Sequence, residues 1–342
     1  MRKNSYIIFI IIIFFHGTNT INADEVKSVV KKDINIEISG GISGGNYLSI
    51  SINKQSKNSY NNIYTVSNFL LVFNVKKNNI PLSIESGIGN SLASTTMEIS
   101  SEILPSLNIQ FVDFIFSISD NINFETGLLQ PNSGYEDTYT YNNQHSTVAI
   151  LASQQPFNAM GIRTNISLKK FGLFGGFYKN RLDTQEYSFG TTLPSVSYEL
   201  GLKGRITGIN FTLYHYHINN IRNLTGVVIE KKITNSTFLA LNIDCWKWSS
   251  DIKQMKGRYS TGVTLYISRF FGKYIEIPVR AEYINQKLSK IYTDSKKSTV
   301  IYGLTITPTY HFTDKIYIRI EGGLVNSINN RLFSSVETGI KF

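Results

Sequence analysis

From residue 34 onward, apolar side chains recur at every second position. Ile34, Ile36 and Ile38 alternate with Asn35, Glu37 and Ser39. Val196, Tyr198, Leu200 and Leu202 alternate with Ser197, Glu199, Gly201 and Lys203. Ile275, Ile277, Val279 and Ala281 alternate with Glu276, Pro278, Arg280 and Glu282, and Ile316, Ile318 and Ile320 with Tyr317, Arg319 and Glu321. A period of two places one set of side chains on each face of a strand. No segment after residue 23 carries a helical stripe for three turns, and Ile, Val, Thr, Tyr and Phe, which favour strands, are abundant. The pattern predicts sixteen strands, with fourteen or twelve as alternatives: 34–53, 63–76, 80–90, 105–118, 121–130, 159–168, 171–179, 195–204, 206–217, 223–231, 236–247, 258–269, 274–285, 298–311, 315–325 and 333–342. In 105–118 the apolar phase slips between Phe111 and Val112, which predicts a bulge. Segment 34–53 is longer than one membrane crossing and is expected to project beyond a bilayer or break near Gly44-Gly45.

The connections alternate in length. Long ones fall at 54–62, 91–104, 131–158, 180–194, 218–222, 248–257, 286–297 and 326–332, with 218–222 short for its side. Short ones fall at Lys77-Asn78-Asn79, Ser119-Asp120, Lys169-Lys170, Arg205, Lys232 to Thr234, Phe271-Gly272-Lys273 and Thr313-Asp314. A soluble sandwich has no reason to alternate in this way. A transmembrane barrel has tight turns on one rim and longer loops on the other. The expected fold is therefore all-β, a closed transmembrane antiparallel β-barrel. One face of each strand meets outer-membrane lipid, and the other turns Glu, Arg, Asn, Ser and Gly to the lumen. Tyr274, Tyr310, Phe312 and Phe333 suit interfacial girdles.

Composition narrows the classes further. With 42% hydrophobic and 17% charged residues, the chain lacks the repeated long apolar runs of a helical membrane bundle. Aromatics at 13% exclude a disordered chain, and the single Cys245 excludes a disulfide framework. Arg2 and Lys3, the apolar run from Tyr6 to Phe15 and the polar stretch ending in Ala23 have the layout of a secretory signal peptide over 1–23. The expected division is then signal peptide 1–23, a short periplasmic segment 24–33, and a barrel over 34–342 with a long third outer loop at 131–158. Loss of 1–23 takes the net charge from +10 to +8, and export argues against nucleic acid as a partner. Many lysines (Lys76, Lys77, Lys169, Lys170, Lys231, Lys232, Lys296, Lys297) sit at turns and in loops, where they meet water or lipid head groups.

The chain ends Val336-Glu337-Thr338-Gly339-Ile340-Lys341-Phe342. This resembles the C-terminal strand signature of Gram-negative outer-membrane proteins, which implies recognition by the barrel-assembly machinery through Phe342 and residence in a bacterial outer membrane. Sixteen strands leave an aqueous lumen. The expected function is passage of small hydrophilic solutes or ions without chemistry, so neither an enzyme nor a cofactor or metal site is expected. A barrel whose outer loops act as adhesin or receptor is the alternative. Candidate pore-lining or constriction residues are Glu125, Glu136, Asp137, Arg163, Glu199, Arg258, Arg280 and Arg319. His215 and His217 share a strand face, but with no third ligand nearby they read as interfacial histidines beside tyrosines.

The stretch Gly127-Leu128-Leu129-Gln130-Pro131-Asn132-Ser133-Gly134-Tyr135-Glu136-Asp137 resembles the G-x-x-K-P-x-x-G-x-E segment of the phosphate-selective porin O/P family. Met160 to Arg163, Gly172 to Tyr178 and Ser197 to Leu202 are similar to that family's following strands, so the resemblance covers about 120–205; Gln130 replaces the family's usual Lys. The resemblance implies a trimeric sixteen-strand diffusion channel, anion-preferring, lined by basic residues, with the third outer loop folded inward as a constriction. The phase assignment gives a different balance. Six basic residues face the lumen (Arg163, Lys203, Arg258, Arg280, Arg319, Lys341), against nine acidic ones (Glu37, Glu85, Glu125, Glu199, Asp244, Glu276, Glu282, Glu321, Glu337). No basic ladder for phosphate is visible in that set.

Overall fold

Two-residue alternation folds here into a wall without an edge. The computed structural model describes residues 34–52, 59–77, 80–91, 108–130, 132–137, 139–156, 159–179, 196–218, 222–248, 259–286, 299–327 and 330–342. The strands are β1 (Ile34–Ile52), β2 (Ser59–Lys77), β3 (Leu82–Ser91), β4 (Asn108–Ser119), β5 (Ile122–Leu129), β6 (Ala159–Leu168), β7 (Phe171–Lys179), β8 (Val196–Ile206), β9 (Ile209–Ile218), β10 (Arg222–Lys232), β11 (Thr237–Trp248), β12 (Tyr259–Phe271), β13 (Ile275–Gln286), β14 (Thr299–Ile306), β15 (Thr309–His311), β16 (Ile316–Asn326) and β17 (Asn330–Lys341). Both β14 and β15 pair with β13 and β16, so they form one strand interrupted at Thr307-Pro308, where proline cannot donate to the ladder. The wall thus has sixteen staves. Each pairs antiparallel with its sequence neighbour, and β1 closes on β17 from Gly41↔Lys341 to Ile52↔Asn330. The expected signal peptide, the segment 24–33 and Arg258 lie outside the described residues.

The expected irregularities occur, with shifts in place. β1 does not break at Gly44-Gly45; its pairing with β2 slips between Ser43 and Gly44, where Ser67 is the extra residue. The bulge expected beside Phe111 lies one residue earlier, since Gly87 pairs with Phe111 and Ile88 with Ile109, leaving Gln110 over. The turn expected at Arg205 is instead Thr207-Gly208, with φ of 46° and 80°. Two successive positive φ values match the twist of a two-residue hairpin, and glycine carries the second without strain. Arg205 stays in the ladder, its N–H donating to the Lys170 carbonyl at 3.1 Å.

Outward positions are apolar, as at Ile316, Ile320 and Leu324 of β16. Inward positions carry the charges, and Glu321, beside Ile320, is fully buried. Tyr274, Tyr310 and Phe312 cluster on the outer face at the short-turn rim, with centroids 6.0 and 5.0 Å apart. Phe333 is not a girdle residue, because its phase in β17 turns it inward, where it is 7% exposed. The inner face is also less uniformly polar than expected. Toward the long-loop rim, Tyr214, Tyr216, Leu224, Trp246, Ile284, Val325 and Phe333 form an inward apolar cluster.

An arginine placed on the outer face at mid-strand costs about 2–4 kcal/mol at the bilayer midplane. Ile320→Arg is expected to lower unfolding stability in lipid vesicles by that order, measured by denaturant titration; an unchanged midpoint would contradict a lipid-facing wall.

Candidate functional site: a loop held inside the barrel

The third long connection, expected at 131–158, joins β5 to β6, and its described residues 132–137 and 139–156 return into the lumen. Its sequence explains why it can. It holds Tyr139, Tyr141, Val148, Ile150 and Leu151 for packing, and it contains no Lys or Arg. Its one aliphatic run, Val148 to Leu151, is buried, with Ile150 and Leu151 at 4% and 0% exposure inside the inward apolar cluster. Each such side chain contributes about 1.5–3 kcal/mol when removed from water. At the other side of the lumen Tyr139 and Tyr141 pack with Leu70, Phe111 and Tyr317. Two short 3₁₀ turns, Thr140–Asn142 and Ala152–Gln154, supply its compact bends. Gly134, at φ 89°, leaves room for Gln155, whose side-chain oxygen lies 1.8 Å from where a Cβ would sit. Gln155 in turn donates to Asp244 on β11 at 2.8 Å.

Inward-facing charges grip this loop from around the wall. On β13, Arg280 is fully buried and donates to Glu136 at 2.9 Å and to the Thr147 carbonyl and hydroxyl at 2.7 and 3.0 Å; Glu282 lies 3.5 Å from it. The Glu282 carboxylate accepts the Ile150 N–H at 2.7 Å. On β16, Glu321 accepts the Ser146 N–H at 2.8 Å, and Arg319 donates to the Asn143 and Thr140 carbonyls at 2.9 and 3.0 Å. Arg319 also pairs with Glu337 of β17. From β2, Asn68 accepts the Thr140 N–H at 3.2 Å. At the loop's root, Arg163 donates to Glu125 at 2.6 Å and to the Gln130 carbonyl at 2.6 Å, while Glu199 accepts the Asn132 N–H at 2.7 Å.

Of the candidate residues, the fold joins Glu125, Arg163 and Glu199 at the root and Glu136 with Arg280 across 144 positions. Arg319 holds the loop's far turn. Asp137 shapes the loop itself, accepting from Asn142 Nδ2 at 2.7 Å and giving its own N–H to Asn143 at 2.8 Å. Sequence reasoning missed Asn68, His145, Thr147, Gln155 and Thr307, neutral groups whose only signal is their position after folding. It also missed several inward charges, among them Asp113, Glu230, Arg222, Arg331 and Arg205. His145 is 1% exposed, and its Nδ1 lies 2.7 Å from the Thr307 hydroxyl. Burial pushes its pKa below the ordinary 6.5; Arg280 adds to that, whereas Glu321 and Glu136 oppose it. His215 and His217 point outward, bonded through Nδ1 to Thr225 at 2.8 Å and to Asn223, with Tyr198 stacked on His217 at 4.7 Å. Among the described residues no group of three or more His, Cys, Asp or Glu is placed to hold a metal ion.

Residues 35–339 match the model of the family described as "Putative beta-barrel porin-2, OmpL-like". The chain belongs to that family. It is thus a porin-type β-barrel of the bacterial outer membrane, and the family points to a channel rather than an enzyme. The matched family is the OmpL-like one, not the phosphate-selective porin O/P family that residues 127–137 resemble. No curated protein matches the chain in sequence. Solved structures share its fold at low identity. The outer membrane channel DcaP of Acinetobacter baumannii is 10% identical, with TM-score 0.61 over 90% of this chain and 97% of that one. The trimer form of OmpT from Vibrio cholerae is 7% identical, with TM-score 0.60 over 90% and 99%. An anion-selective porin from Comamonas acidovorans is 9% identical, with TM-score 0.59 over 90% and 100%.

Two outcomes test the anchoring. Arg280→Met leaves Glu136 and Glu282 buried without their cation, a loss of about 3–5 kcal/mol. The loop of this variant is expected to become protease-sensitive while the barrel keeps its heat-modifiable migration; equal resistance would contradict the anchor. The second concerns pH. His145 faces Arg280, Glu321, Glu136 and Glu276 and binds its proton less tightly folded than unfolded, so the anchored loop loses stability as pH falls below 6.5. Loop proteolysis is expected to rise from about pH 7.5 to about pH 5, in part through the imidazole. His145→Gln should remove that part, and identical pH profiles would contradict it.

Proposed function

We propose that this barrel is a diffusion channel for small hydrophilic solutes and ions, with the loop 131–158 forming the constriction. The observation that carries this reading is the loop's attachment to charged inward residues on β8, β13 and β16, which narrows a lumen that sixteen staves would leave wide. The side the path takes is suggested by the wall near β1 to β4. There Glu37, Asn74, Glu85 and Asp113 pair in register as one inward row. Three carboxylates in a row repel anions and attract cations. The reading is therefore a channel for cations and neutral solutes. The anion or phosphate preference implied by the porin O/P resemblance finds no support in this row. A trimer, the form named for OmpT of Vibrio cholerae, is the assembly we propose.

Planar-bilayer recording of the purified full chain tests the reading. Stepwise conductance is expected, with a reversal potential in a potassium chloride gradient on the cation side. Removal of residues 139–151 should enlarge the steps. Absence of steps would contradict the channel, and a clear anion preference would contradict the carboxylate row.

A further inference from the structure

The loop does more than narrow the lumen, because its inner bend encloses a polar cup of about 220 Å³ that none of the anchoring contacts fills. Glu136, Asn142, Gln144 and His145 from the loop line it together with Tyr135 and Tyr266. The Tyr135 and Tyr266 rings lie 4.4 Å apart by centroid, and the His145 ring is 6.3 Å from Tyr266, so one side is aromatic. The cup sits on the short-turn side of Arg280. Tyr266 is that residue's cross-strand partner, and Gln144 Nε2 reaches Glu276, nearer the turn, at 3.3 Å.

The chemistry of the lining selects a ligand class. Thr307 donates its single hydroxyl proton to Glu321 at 2.9 Å, so at the His145 contact it can only accept. His145 Nδ1 therefore carries the imidazole proton, and Nε2 is a bare acceptor. Both Nε2 and Gln144 Oε1 lack a hydrogen-bond partner. Glu136 is already engaged by Arg280 and by the Ala149 N–H, and no Lys or Arg lines the cup. Unmet acceptors beside rings, without a free cation, disfavour an anion. A neutralised carboxylate disfavours a free ammonium. A ring face on one side and hydroxyl donors on the other satisfy both sets of groups. A cavity of about 150 Å³ already holds a six-membered ring, so a single ring with its hydroxyls fits.

We propose that this cup is a binding subsite for a neutral hydroxyl-rich solute, a monosaccharide or small polyol, on the β12–β13 side of the lumen. The proposal rests on the channel reading for access, but its test does not depend on current. Glucose and sorbitol titrated calorimetrically into the detergent-solubilised full chain should give saturable binding in the millimolar range. Gln144→Ala and Tyr135→Leu should each weaken it about fivefold to tenfold, and Asp120→Ala, at a distant turn, should leave it unchanged. Heat-modifiable migration reports whether each variant is folded, and Gln144→Ala decides if Tyr135→Leu is not. Sodium phosphate and ammonium chloride should not compete. No saturable heat with glucose, or displacement by phosphate or ammonium, overturns the subsite. Absent bilayer steps in the same preparation would instead count against the channel reading.

Discussion

A peptide N–H or C=O turned toward hydrocarbon has nothing to replace water, and each one left unpaired costs several kcal/mol. A sheet exposed to lipid therefore has to close, and here β1 meets β17 over twelve register positions. Closure assigns the two faces of every stave. The outer face has to be apolar, as at Ile320, and the inner face becomes the place for polar and charged side chains, as at Glu321 and Arg319. Loops, bulges and the broken stave at Thr307-Pro308 adjust this arrangement without opening it.

Charges confined to a lumen need partners in their turn. The loop supplies them as backbone groups: the carbonyls of Thr140, Asn143 and Thr147 accept from arginines, and the N–H groups of Ser146 and Ile150 donate to glutamates. Its lack of any basic residue suits this role, since its own Glu136 completes the ring around Arg280. Apolar packing of Ile150 and Leu151 sets the depth of insertion, and the charged contacts set orientation. One segment thus fills space, satisfies the wall and forms the cup beside Tyr266.

Much of the wall is legible in the sequence because period two survives folding unchanged. The strands 159–168 and 171–179 are found at the expected bounds, and every inward charge assigned from phase that lies in a described strand faces inward. The misses have physical causes. Arg205 looked like a turn because two apolar runs meet there, whereas positive φ at Thr207-Gly208 decided the bend. In β9 the apolar face changes partway: Leu213 points outward, but farther along Tyr214, Tyr216 and Ile218 point inward and His215 and His217 outward. Only the buried loop beneath those tyrosines explains the change. The pairing of Glu136 with Arg280, and the roles of Asn68 and Thr147, depend on closure and loop insertion together, which no local pattern records.

The central claim is that one wall is wet inside and oily outside. Nitroxide labels placed singly along β4, in a Cys245→Ser background, test it by collision with oxygen and with a water-soluble nickel complex in lipid vesicles. Labels at 114, 116 and 118 should meet oxygen, and those at 113, 115 and 117 the nickel complex. Loss of that alternation, or an inner row sealed from the nickel complex, would contradict the account.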